Sequence, residues 1–184
     1  MIYFTSDSHF AHVNILKYCN RPFDTIEEMD SKLIENWNSV VSPNDTVYHL
    51  GDVTLGKDGD RFLSQLNGYI RVLSYPYHHD KHWLKNYTPL SNVELISGLE
   101  VIEFPARDFE MNTKYKHSIT LCHYEMKNWD RKHYNSWHLF GHDHRKENKF
   151  TGDFSMNIGV DANNFTPVSL EQVTQYMIDC GWSL

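Results

Sequence analysis

The sequence is short of cysteine, of basic charge and of long apolar runs, and each shortage closes off a class of protein. Its three cysteines, Cys19, Cys122 and Cys180, form no Cys-x-x-Cys pair. That argues against a cysteine zinc site or a disulfide framework and fits free thiols in a reducing cytoplasm. No apolar stretch reaches the roughly 20 residues that a membrane span needs. The start, Met1-Ile2-Tyr3-Phe4-Thr5, has neither the basic leader nor the small-residue cleavage site of a secretory signal, so a cytoplasmic protein is expected. With 17 Lys and Arg against 24 Asp and Glu, the net charge of −7 argues against a protein that grips long nucleic acid through a basic face. Two divalent ions would offset about four of those charges at the place they bind. No repeat, linker or low-complexity tract interrupts the 184 residues, and one domain over 1–184 is expected.

Histidine is what the chain has in excess, twelve in all. Many of them follow short apolar runs. Ile2 to Ser6 reads as a buried strand, Thr46 to Leu50 as a second and Tyr69 to Ser74 as a third. A helix is expected from Ala11 to Tyr18. Another follows the capping box Thr25-x-x-Glu28, with Met29, Leu33, Ile34 and Trp37 on one face. Asp60 to Asn67 reads as a helix stopped by Gly68. Further on, Val93 to Ile96 and Leu99 to Phe104 read as a hairpin around Ser97-Gly98. Ser118 to Cys122, Trp137 to Phe140 and Phe154 to Val160 read as strands, and Ser169 to Ile178 as a last helix. The pattern is β-α-β-α-β and then mostly β. It predicts an α/β domain of packed sheets with helices outside.

Five segments share one arrangement, a strand that ends directly in metal-ligand residues. They are Asp7-Ser8-His9, Gly51-Asp52, His78-His79-Asp80, Cys122-His123-Tyr124 and Gly141-His142-Asp143-His144. In open α/β sheets, ligands bind beyond the carboxyl ends of strands, so distant loops can converge there. On an extended chain Asp7 and His9 would point the same way and could hold one ion. Asp52 could bridge two ions through its two oxygens. Mixed imidazole and carboxylate donors suit manganese, iron or zinc and not calcium.

With these segments in this order, the sequence resembles the calcineurin-like metallophosphoesterases over residues 2 to about 160. The similarity is nearest to short bacterial and phage members. It is carried also by Ser6-Asp7-Ser8-His9-Phe10-Ala11-His12-Val13-Asn14-Ile15, by Arg21-Pro22-Phe23 and by Asp45 to Asp52. The resemblance implies two mixed β-sheets packed as a sandwich with flanking helices. It implies two divalent transition-metal ions, manganese before iron or zinc. One would sit on Asp7, His9, Asp52 and His144, the other on Asp52, His123, His142 and a third-segment residue. There the family writes Gly-Asn-His-Asp and this chain has Tyr77-His78-His79-Asp80, so His78 takes the place of the ligating Asn.

The activity implied is hydrolysis of a small phosphoester, nucleotides included, by a metal-activated hydroxide. His79 would protonate the leaving oxygen and Asp80 would orient it. His12, near the start of the first expected helix, is a candidate phosphate binder, as are Asn14, Arg21 and Arg145. A metal-binding scaffold without turnover is the alternative, and a nuclease a third reading. Residues 53–60, 105–117 and 124–136 carry no recognisable code for substrate.

Overall fold

The computed structural model describes residues 1–75, 79–105, 116–149 and 152–183. Strand β1 (Ile2–Thr5) is an apolar run because both its faces are covered. Phe4 lies in a core shared by two sheets, and Tyr3 in a core under helices. Strand β2 (Thr46–His49) divides Tyr48 and Val47 in the same way. Strands β3 (Tyr69–Leu73) and β4 (Val93–Ile96) complete the parallel part of this sheet, and β9 (Val168–Ser169) pairs antiparallel on the far side of β1. Its order is β4-β3-β2-β1-β9. The second sheet holds β5 (Leu99–Pro105), β6 (Lys116–Cys122), β7 (Trp137–Phe140) and β8 (Ser155–Asn157) in that order, with β5 antiparallel and the rest parallel. The two mixed sheets and flanking helices are the architecture the sequence predicts. Among the described residues no helix is long and apolar enough to cross a membrane.

Among the described residues five helices flank the sheets: α1 (Ile15–Tyr18), α2 (Ile26–Val40), α3 (Gly59–Leu63), α4 (Lys81–Leu84) and α5 (Leu170–Asp179). Helix α2 buries Met29, Leu33 and Trp37, the face its spacing predicts. Thr25 caps it by accepting from the Glu28 N–H. The return bond differs from a capping box, because the Glu28 carboxylate accepts from Asp24 N–H, one residue further out. Helix α5 has the complete box, Ser169 with Gln172.

Four expected elements change. Residues 11–14 do not join α1, since Ala11 turns left-handed with φ +57°. The third helix stops at Leu63, not Asn67. The run 154–160 is a strand only over Ser155–Asn157, and it ends in a single 3-10 turn at Val160–Ala162. The largest change is at Ser97-Gly98. There is no hairpin: β4 pairs with β3, β5 pairs with β6, and the chain passes from one sheet to the other. A Cβ on Gly98 would stand 2.1 Å from the Tyr75 ring, so the corner admits only glycine. A hairpin and a sheet change need the same apolar runs and the same tight turn, which is why the local pattern does not separate them. Helix α4 was not expected at all.

Candidate metal centre

The loops after β1 and β2 run side by side beyond the strand ends. Asp7 N–H donates to Gly51 O at 3.1 Å, His9 N–H to Asp52 O at 3.0 Å and Phe10 N–H to Val53 O at 2.9 Å. Asp7, His9, Asp52, His142 and His144 all have left-handed backbones, with φ between +50° and +74°. The Asp7 and His9 side chains therefore converge through two left-handed residues, and not through the period of an extended strand. Each such residue costs on the order of 1–3 kcal/mol and persists only where its surroundings over-determine it.

The loops bring the six expected ligands together. Donor atoms of Asp7, His9 and His144 lie within 4.8 Å of one another, as do those of Asp52, His123 and His142. Asp52 Oδ2 stands 3.4 Å from His9 Nε2 and 3.5 Å from His123 Nε2. Across from it, Asp7 Oδ1 stands 4.0 Å and 3.9 Å from the same two nitrogens. These spacings are long for hydrogen bonds. Donors about 2.1 Å from a shared ion stand roughly 3.0–3.4 Å apart, which the shorter edges approach. Asp7 Oδ1 and His9 Nε2 are buried without a hydrogen-bond partner. Such orphans are costly unless a bound group, here a cation, completes them. The residues present thus fit a metal, with one Asp52 oxygen facing both histidines.

The charges agree. Burial lifts the Asp7 carboxyl above its ordinary range and pushes His9 well below 6.5. Burial would also lift Asp52, but His123, His9 and His79 outweigh it and hold that carboxyl below its ordinary range. His78, the expected replacement ligand, lies outside the described residues. His79 comes close instead, its donor atom within 4.8 Å of those of His9 and Asp52.

Around the donors stands a set of braces that the sequence reading missed. His49, buried beside Trp37, joins the first two loops. Its Nδ1 accepts from Gly51 N–H at 3.2 Å, which leaves Nε2–H to donate to Ser8 Oγ at 2.9 Å. Burial pushes this imidazole down to about 3, so it stays neutral. Asp161 pairs with His144 Nδ1 at 2.8 Å and with Arg21 at 2.7 Å, and Arg21 also donates to the carbonyls of Asp7 and Ser8. A carboxylate behind a ligating imidazole fixes its tautomer and ring direction. His123 Nδ1 is held by Leu50 O at 3.1 Å in the same manner. Behind Asp7, a Cβ on Gly141 would fall 2.3 Å from Asp7 Oδ2, so glycine is required there, and His142 N–H donates to that oxygen at 2.9 Å. His49 had a local signal, an imidazole two residues before Gly51, and Arg21 and Gly141 lie in segments already singled out for other reasons. Asp161 belongs to no motif.

The proposed substrate residues fare differently. Arg21 is a buried brace and faces no substrate, because Asp161 and two carbonyls occupy its guanidinium. Arg145 is tied to Asp143 and Glu125. His12 is buried, with Nδ1 3.3 Å from His9 Nδ1. His9 keeps Nε2 for a metal only if it is the donor of that bond. Asn14 is exposed and makes no side-chain cap on α1, whose four residues give little helix for an anion to meet. Asp80 does not turn toward His79. Its Oδ1 accepts from Val53 N–H, Thr54 N–H and Trp83 Nε1–H, its Oδ2 has no hydrogen-bond partner, and burial raises it to about 7. A cleft of about 250 Å³ opens over the centre, lined by Asp52, His79, His123 and His142 with Leu55, Lys81, His82 and Tyr124.

No protein-family model matches the chain. The chain is 35% identical over 183 residues to the uncharacterized protein MJ1445 of Methanocaldococcus jannaschii, covering 95% of this chain and 89% of that one. It is 43% identical over 54 residues to the gene 66 protein of Mycobacterium phage L5, 29% of this chain and 26% of that protein. A solved structure, the protein of unknown function AQ665 from Aquifex aeolicus, has the same fold at a TM-score of 0.67 and 22% identity, covering 96% of this chain and 98% of that one.

Proposed function

The chain belongs to the family of the uncharacterized Methanocaldococcus jannaschii protein, and within it we propose that this protein is a metal-dependent hydrolase of a phosphate ester. The observation that carries the reading is the ring of Asp7 Oδ1, His9 Nε2, Asp52 Oδ2 and His123 Nε2, two of whose atoms are buried and unsatisfied. Asp7, His9 and His144 would hold one ion and His123 and His142 the other, with Asp52 between them. When bound, such ions neutralise phosphoryl oxygens and lower the pKa of water near the site. The resemblance of the five loop segments to the metallophosphoesterases supports the reaction class.

The chain's own residues then divide the work. Asp7, Asp52 and their braces keep the donors in place. His79, on the cleft wall, is the proton donor to the leaving oxygen. Its position supports this role, since the cleft is where a leaving group departs. Asp80 acts indirectly, by holding the backbone that follows Asp52.

Elemental analysis and hydrolysis of an aryl phosphate and an aryl phosphodiester with added manganese test the reading. Near two ions per chain and metal-dependent release of phenolate are expected. Absence of turnover with manganese, iron and zinc would leave a metal-binding scaffold. His79→Asn should lower kcat by about 10²-fold or more, the usual size of a proton-transfer contribution, with metal content intact. Parallel loss of metal would make His79 a ligand.

A further inference from the structure

The cations around the centre are nearly all committed. Arg21 pairs with Asp161, Lys146 reaches the same carboxylate at 3.3 Å, and Arg145 pairs with Asp143 and Glu125. Lys81 is different. It lines the cleft over the metal donors, and among the described residues no acid pairs with it. It also lines a neighbouring cavity of about 330 Å³ with Ser74, Leu84, Lys85 and Leu95. Lys85 stands four residues later, where a helical backbone places both side chains on one side.

This wall has a fixed base. Trp83 is fully buried between the two lysines, packed against Gly59 of α3, and its Nε1–H donates to Asp80 Oδ1 at 2.6 Å. The lysine backbones are therefore held at a set place beside the cleft while their side chains stay exposed. Among the described lining residues of the two cavities, the basic groups include Lys81, Lys85 and His82, and the sole acid is Asp52 of the metal centre. In a chain of net charge −7, that is a local reversal of sign. Leu84 and Leu95 give the same wall an apolar floor.

We propose that the substrate carries a second phosphate, held by Lys81 and Lys85 while the scissile phosphate lies at the metal centre. The proposal rests on the hydrolase reading for the scissile group, and the anion site itself is measurable without turnover.

The test is calorimetric binding to the manganese-loaded full chain. Alkanediol bisphosphates from propane-1,3-diyl to hexane-1,6-diyl are compared with the matching alkyl monophosphates. A charge-assisted contact predicts at least one bisphosphate about tenfold or more tighter than its monophosphate. In Lys81→Ala/Lys85→Ala that ratio should fall to near one, and Lys81→Arg/Lys85→Arg should keep most of it. Both lysines are exposed, so these variants leave the core intact. A ratio near one for every length in the unmodified protein overturns the proposal, as does a ratio the double alanine variant leaves unchanged. Aryl phosphate turnover, measured on the same samples, reports separately on the hydrolase reading.

Discussion

The two sides of the centre are held in different ways. On the deep side, Asp7, His9 and Asp52 are each at most 4% exposed, and Arg21, Asp161 and His49 grip the loops that carry them or the imidazole beside them. On the open side, His123 is buried and braced by Leu50, but His142 is exposed and faces the cleft. The difference separates two tasks. On the proposed function, the deep side would fix geometry before an ion arrives, and the open side would leave room for an ion, water and substrate to exchange.

Asp52 belongs to both sides, so Asp52→Asn should have the largest effect. Loss of most bound metal and a fall in kcat/KM of at least about a hundredfold, the upper end of what even an outer partner costs, are expected. Two ions retained in that variant would remove the shared-carboxylate arrangement. Next comes a matched pair. Arg21→Ala leaves a buried Asp161 without its guanidinium, and should cost about 3–5 kcal/mol in urea unfolding with chelator present. His142→Asn should weaken metal binding yet stay within about 0.5 kcal/mol in the same unfolding measurement. Equal destabilisation by both would mean that the two sides are not held differently.

A pH-dependent contrast concerns Asp80, under the cleft wall. Its folded value of about 7 lies above the ordinary 3.8, so the stability tied to its neutral form is present at low pH and lost as pH rises through about 4 to 7. Asp80→Asn cannot take on that charge. The difference in urea midpoint between Asp80→Asn and the unmodified protein should move in the variant's favour between pH 5 and pH 8. A difference independent of pH would show that the carboxyl is not strained by its burial.

Much of this comparison was legible in the sequence, but only the part that is local. The strands before Asp7, Asp52, His123 and His142 announce themselves as apolar runs, and the six donors follow from their residue types at the strand ends. Thr25 and Met29, Leu33 and Trp37 do the same for α2. What could not be read depends on partners far along the chain. Arg21 looks like a phosphate binder until Asp161, 140 residues away, is placed against it. His49 looks ordinary until Ser8 comes to its Nε2. The left-handed turns at Asp7 and His9 have no glycine to announce them, because surrounding bonds impose them. The need for glycine at Gly98 is hidden for the same reason, since the Tyr75 ring packed against it lies far back in the chain.

The proposed ligands also come from both layers of the sandwich. Asp7, His9 and Asp52 follow strands of the first sheet, and His123, His142 and His144 follow strands of the second. An ion among them would be a strap across the interface, in a chain whose three cysteines are all free and supply no covalent tie. Binding at the proposed centre would then be coupled to the cohesion of the whole inter-sheet core, and a chelator would act on the protein as a reducing agent acts on a disulfide-bonded one. Thermal midpoints should climb with the logarithm of free manganese, as they do for any ligand held only by the folded form.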